Sequence, residues 1–192
     1  MMIKNPFIIL CGPSGAGKST LLKNMIQDIQ VLTPTISFTT REKRPFEKDQ
    51  KDYFFVSKEE FFRKISNGEM LEWAQVYGYY YGTSKKQVEK IWNDGKAVIK
   101  DLDLQGLQSV KESYPQSLTV GVFPSSKEEA KNRMAKRKAS PNENQILRLE
   151  AYTSEVERLE QCVDVKIIND DLKQATLELQ KEIKKYLFQE ID

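Results

Sequence analysis

Phe7-Ile8-Ile9-Leu10-Cys11-Gly12-Pro13-Ser14-Gly15-Ala16-Gly17-Lys18-Ser19-Thr20 is the stretch on which the fold turns. Its first five residues form an apolar run stopped by glycine, which reads as a parallel strand buried on both faces. Beyond it, Leu21, Leu22, Met25, Ile26 and Ile29 recur at helical spacing and predict a helix over 19–30. Between the two, Gly12 to Ser19 satisfies G-x-x-x-x-G-K-[ST] at every position. Glycines let backbone N–H groups turn inward on phosphate oxygens, and the following helix aims its positive end at the same anion. Lys18 adds a cation for the β- and γ-phosphates, and the Ser19 hydroxyl is placed as a ligand for a bridging magnesium ion. Gly12, Pro13, Ser14, Gly15, Ala16, Gly17, Lys18, Ser19 and Thr20 are therefore the expected ATP cradle.

Further apolar runs at 97–102, 118–123 and 163–168 predict three more strands. Helical patterns fall at 104–113, 126–138, 144–161 and 172–188. Strands alternating with helices predict an α/β fold, a P-loop NTPase-type parallel sheet with helices on both faces. Residues 33–83 differ in character. Ile36, Phe38 and Tyr53-Phe54-Phe55-Val56 suggest short strands, 58–67 a helix ended by Gly68, and arginine and tyrosine are frequent. The expectation is one domain over 1–192, with a core at about 1–35, 84–136 and 150–192, an inserted substrate lobe at about 36–83 and a lid at about 137–149.

Bulk properties narrow the chemistry. With 30 Lys+Arg against 28 Asp+Glu, the net charge of +2 gives no reason to expect nucleic acid or an anionic membrane as partner. The chain has no histidine, which removes Ser-His-Asp and Cys-His catalysis and every His-ligated metal site. Cys11 and Cys162 lie far apart and suggest neither a disulfide framework nor a metal spacing. The apolar run at 7–11 is too short for a signal core or a membrane span, so a cytoplasmic location is expected.

A phosphate loop alone could belong to a GTPase, an ATPase or a kinase. Thr39-Thr40-Arg41-Glu42-Lys43-Arg44-Pro45 places two arginines three apart, and Tyr53, Tyr79, Tyr80 and Tyr81 add phenolic hydroxyls. Guanidinium forks and phenols suit a second phosphate site. A glutamate beside an aromatic residue, Glu72-Trp73, suits a base with adjacent N–H donors. Taken singly, the arginines read more readily as solvated surface, the tyrosines as strand packing and Glu72 as an ordinary surface acid; only the joint arrangement lifts them above that. The strand at 97–102 leads into Asp101 and Asp103, carboxylates at the strand end where an open α/β sheet gathers its ligand chemistry.

In combination these features resemble guanylate kinase. The pieces TTR-x-x-RP at 39–45, DYFFVS at 52–57, LEWA at 71–74, YYGT at 80–83, DLDLQG at 101–106 and IINDDL at 167–172 cover nearly the whole chain. The resemblance implies ATP and GMP as substrates, with dGMP a further candidate acceptor, and magnesium as cofactor; it leaves the oligomeric state open. It implies that Ser37, Arg41, Arg44, Tyr53 and Tyr81 hold the phosphate of GMP. Glu72 would accept hydrogen bonds from guanine N1–H and the 2-amino group, Thr83 would donate to O6, and Asp103 would complete the base pocket. Asp101 would order magnesium through water alongside Ser19. Arg137 and Arg148 would be lid arginines that, with Lys18 and Asp101, act on the transferring group, and Arg133 and Asn169 would lie near adenine. Two departures stand out. Lys100 occupies a strand position that is ordinarily apolar in the family, and Lys138-Ala139-Ser140-Pro141 replaces the usual glycine and acid after the first lid arginine. The alternatives are a protein-interaction module of the same fold, expected to have an eroded phosphate loop, and a kinase for another phosphorylated acceptor, expected to lack the Glu72–Thr83 pair.

Overall fold

The computed structural model of the chain describes residues 2–76, 78–136 and 152–188. Phe7–Cys11 is strand β1, with all five residues buried, as an apolar run without alternation requires. Its side chains serve two cores. Ile8 and Leu10 face helix α1 (Lys18–Asp28) through Leu21 and Met25, while Phe7, Ile9 and Cys11 face the opposite layer. Strand β2 (Leu32–Pro34) follows, and then a segment that forms a second sheet: β3 (Phe38–Thr39), β4 (Phe54–Phe55), helix α2 (Lys58–Ser66), β5 (Met70–Val76) and β6 (Tyr79–Ser84). The chain returns through α3 (Lys85–Asn93), β7 (Ala97–Asp101), α4 (Leu104–Ser113), β8 (Leu118–Phe123), α5 (Lys127–Lys136), α6 (Tyr152–Glu160), β9 (Val165–Ile168) and α7 (Leu172–Leu187).

The main sheet is parallel and ordered β2-β7-β1-β8-β9. Helices α1 and α7 cover one face through Ala175, Leu179 and Ile183; α3, α4 and α6 cover the other through Val88, Ile91, Leu107, Val110 and Leu159. The α/β expectation holds, with a fifth strand added. β2 is only three residues long, ends in Pro34 and sits at the sheet edge, where proline is tolerated. Helix α3 was also not anticipated, although Val88, Ile91 and Trp92 carry the spacing of one apolar face. Of the helix predicted over 144–161, residues 144–151 lie outside the described residues. Among the described residues no helix is long and apolar enough to cross a membrane.

The second sheet is ordered β4-β3-β6-β5, with β5 and β6 an antiparallel hairpin in which Glu72 pairs with Thr83. On β5 the inward positions are Met70, Glu72 and Ala74, so a glutamate occupies a place that alternation reserves for an apolar side chain. This hairpin was not read from sequence.

Candidate functional site

The loop between β1 and α1 is built by three glycines with positive φ, Gly12 at 147°, Gly15 at 85° and Gly17 at 91°. All three are also places of close approach, a Cβ on Gly17 lying 2.2 Å from Asn169 Nδ2. A Cβ on Gly12 would lie 2.0 Å from the Val122 carbonyl oxygen, and one on Gly15 would lie 2.7 Å from that of Ala130. Glycine is thus required by both the turn and the neighbours. Lys18 folds across the loop, its Nζ donating to the carbonyls of Gly12 at 2.5 Å and Pro13 at 3.1 Å. Ser19 and Thr20 are exposed on the first turn of α1. Asn169, buried just past β9, donates from Nδ2 to the Ala16 carbonyl at 2.8 Å and so braces the loop from behind.

β7 ends beside this loop. A cavity of about 320 Å3 is lined by Gly12, Ser14, Lys18, Asp101, Asp103 and Glu155, among others. A second cavity, about 190 Å3, is lined by Ser37, Tyr53, Glu72, Tyr81, Lys100, Asp101 and Asp103, again among others. The two meet at Val76, Asp101, Leu102 and Asp103. Asp103 also caps α4, its Oδ1 accepting from the Gly106 amide at 2.8 Å, which fixes its carboxylate at the junction.

Glu72 is 5% exposed, and the Thr83 hydroxyl donates to its Oε1. Gly106 leaves room for the other oxygen, since a Cβ there would lie 3.1 Å from Oε2. Burial pushes the Glu72 carboxyl up from its ordinary range, opposed by the charge of Lys100 and by the Thr83 hydroxyl. Burial likewise pulls the Lys100 ammonium down, opposed by Glu72 and Asp101. Lys100 is 5% exposed, with Nζ 2.7 Å from Ser37 Oγ and 3.1 Å from Thr35 Oγ1. The lysine at an ordinarily apolar position is therefore a hydrogen-bonded member of the second cavity.

Arg41 lies at its rim, 5.4 Å above the Tyr53 ring, and makes a bidentate pair with Glu47 at 2.7 and 3.0 Å. Glu47 also accepts from the Arg44 amide at 2.9 Å, and Arg41 holds its carboxyl below the usual range. No sequence signal marked Glu47; it became visible only once the turn at 41–47 had closed. Arg44 is exposed, and Tyr53 and Tyr81 meet edge to face at 6.0 Å. Arg133 pairs with Glu129 one turn back on α5, at 2.6 Å. Arg137 and Arg148 lie outside the described residues. Ser37, Tyr53, Glu72, Tyr81, Asp101 and Asp103 are thus brought together, and Lys18 shares the adjoining cavity with Asp101 and Asp103.

Among the described residues no group of three acidic or sulfur ligands could cage a metal ion. Hydroxyl and carboxylate oxygens, Ser19 and Asp101, are instead available near the loop. That donor set fits magnesium, which binds through one or two protein oxygens together with water and substrate phosphates.

The family model described as guanylate kinase matches residues 4–186. The guanylate kinase of Thermotoga maritima is 38% identical over 90% of this chain and 83% of its own length. That of Symbiobacterium thermophilum is 42% identical over 92% of this chain and 83% of its own length. A crystal structure of guanylate kinase from Anaplasma phagocytophilum superposes with a TM-score of 0.77 at 26% identity, covering 98% of this chain and 89% of that one.

Proposed function

The chain belongs to the guanylate kinase family and is an ATP:GMP phosphotransferase, and we propose that it works by holding the two nucleotides in the two cavities that meet at Asp101 and Asp103. That shared wall is the observation that carries the reading, because phosphoryl transfer needs the donor phosphate and the acceptor oxygen side by side and in line.

On this reading the phosphate loop, Lys18 and Thr20 hold the β- and γ-phosphates of ATP, with Arg133 and Asn169 toward the adenine. Asn169 keeps the loop in shape through Ala16. GMP lies in the second cavity with its base against Glu72, Thr83 and Asp103. Its phosphate faces Ser37, Tyr53 and Tyr81 and the guanidinium groups of Arg41 and Arg44. For Arg41 to reach that phosphate it exchanges its pairing with Glu47, a carboxylate for a phosphate. Ser19 and Asp101 would hold magnesium, which would supply neutralising positive charge to the phosphates. Lys18, Arg137 and Arg148 supply positive charge to the group in flight, with no covalent intermediate. The lobe at about 36–83 and the lid at about 137–149 would close over both nucleotides and exclude water.

The test is product identity. Incubation with ATP, magnesium and GMP should yield ADP and GDP in equal amounts by anion-exchange chromatography. ADP accumulating with inorganic phosphate and without GDP would mean a hydrolase and overturn the proposal.

A further inference from the structure

Lys100 is a buried cation that the reaction described above does not use. It stands on β7, the central-sheet strand next to β1, and the three residues before it in the strand, Ala97, Val98 and Ile99, together with its cross-strand partner Ile9, are apolar and buried. An apolar side chain would pack there at no electrostatic cost, whereas a buried ammonium is a poor source of stability. Its presence asks what the charge does. Nζ reaches across to the segment that leaves β2 for the second sheet, donating to Thr35 Oγ1 at 3.1 Å and Ser37 Oγ at 2.7 Å. It is also the one positively charged side chain among the described residues lining the acceptor cavity, whose other charged members are Glu72, Asp101 and Asp103.

An ammonium has donors only. A hydroxyl that accepts from it must turn its own hydrogen elsewhere, and the elsewhere open to Ser37 is the cavity it lines. We propose that Lys100 is a positioning residue of the acceptor site, fixing the Ser37 hydroxyl as a hydrogen donor to the bound nucleoside monophosphate. The tie to Thr35 holds the same segment against the sheet, so that the donor is aimed before the acceptor arrives. The proposal rests on the reading of that cavity as the GMP site.

The experiment is a two-by-two kinetic cycle on Lys100→Met and Ser37→Ala, with circular dichroism to verify folding. Lys100→Met should raise KM for GMP about tenfold, the effect of losing one charge-assisted hydrogen bond, with kcat within about threefold and KM for ATP unchanged. In the Ser37→Ala background the same substitution should raise KM for GMP by less than about threefold, because the hydroxyl through which it acts is gone. Lys100→Gln, which keeps a donor on a shorter arm, should fall between wild type and Lys100→Met; it also serves where the methionine variant does not fold. An unchanged KM for GMP in Lys100→Met, or the same factor with and without Ser37, would overturn the proposal. Wild-type turnover of GMP in the same series separately checks the reading on which it rests.

Discussion

Replacing Glu72 by glutamine changes one atom and should remove most of the activity on GMP. An ionised carboxylate offers lone pairs on both oxygens and no hydrogen, whereas an amide offers one acceptor oxygen and two donors. Three hydrogens converge on Glu72 in the proposed complex, from the Thr83 hydroxyl, guanine N1–H and the guanine 2-amino group. Thr83 already holds Oε1. If the glutamine oxygen stays with Thr83, its amino group confronts the guanine donors; if the amide flips, the buried Thr83 hydroxyl turns to accept from it and a single neutral oxygen is left for both guanine donors. Loss of a charge-assisted bond is worth about 1.5–3 kcal/mol, and a buried donor left facing a donor costs about 1–3 more. The sum predicts a fall in kcat/KM for GMP on the order of 10²–10⁴. Adenine presents a bare N1 to this position, to which the new amino group can donate, so the GMP/AMP ratio should collapse further than the GMP rate alone. The assay is coupled ADP release with both acceptors on both proteins. Because burial raises the Glu72 carboxyl above its ordinary range, wild-type KM for GMP should also climb as pH falls, beginning above pH ~4.5, the ordinary glutamate range. In that acid limb the ionised form is lost and the protonated form presents a donor to donors. A GMP/AMP ratio unchanged by Glu72→Gln would refute the reasoning.

Three further outcomes follow from the geometry. Lys18→Ala should cut kcat to less than a tenth of wild type, a loss of several kcal/mol of charge stabilisation by order of magnitude, with an unchanged circular dichroism spectrum; retention of more than a tenth contradicts the role of the loop. Gly12→Ala places a Cβ 2.0 Å from the Val122 oxygen at a φ of 147°, and should destabilise by about 3 kcal/mol or more in urea unfolding. Burial pushes the Cys11 thiol up to about 12, so a thiol reagent at pH 8 should modify at most one of the two cysteines in the native protein and both after denaturation.

The parts of the fold that sequence made legible are those where one physical signal dominates. Buried parallel strands are continuous apolar runs, and β1, β7 and β8 are such runs. β9 begins two residues later than its run of valine and isoleucine suggests. Asp164 is drawn away instead, accepting from the Thr119 amide and hydroxyl and from Lys111. The β5–β6 hairpin was hidden by its own function. Glu72 breaks the inward alternation by placing a carboxylate where an apolar side chain is expected, as the base-reading role proposed for it would require, and Tyr79 to Tyr81 give no alternation at all. Lys100 stood out in the sequence as a charge in an apolar run, but only its bonds to Thr35 and Ser37 explain it. Glu47 had no local signature, since its partner is brought to it by a turn.

The measurement that bears most directly on the account is kcat/KM of the wild-type protein for GMP, AMP, CMP and UMP at fixed ATP and magnesium. A pocket whose buried acceptors must be satisfied by the base rejects the wrong base by roughly 10⁴-fold. GMP should therefore exceed AMP by about that factor, with the pyrimidine nucleotides lower still. AMP used within tenfold of GMP would contradict the assignment of Glu72 and Thr83 to the base and, with it, the account of this site.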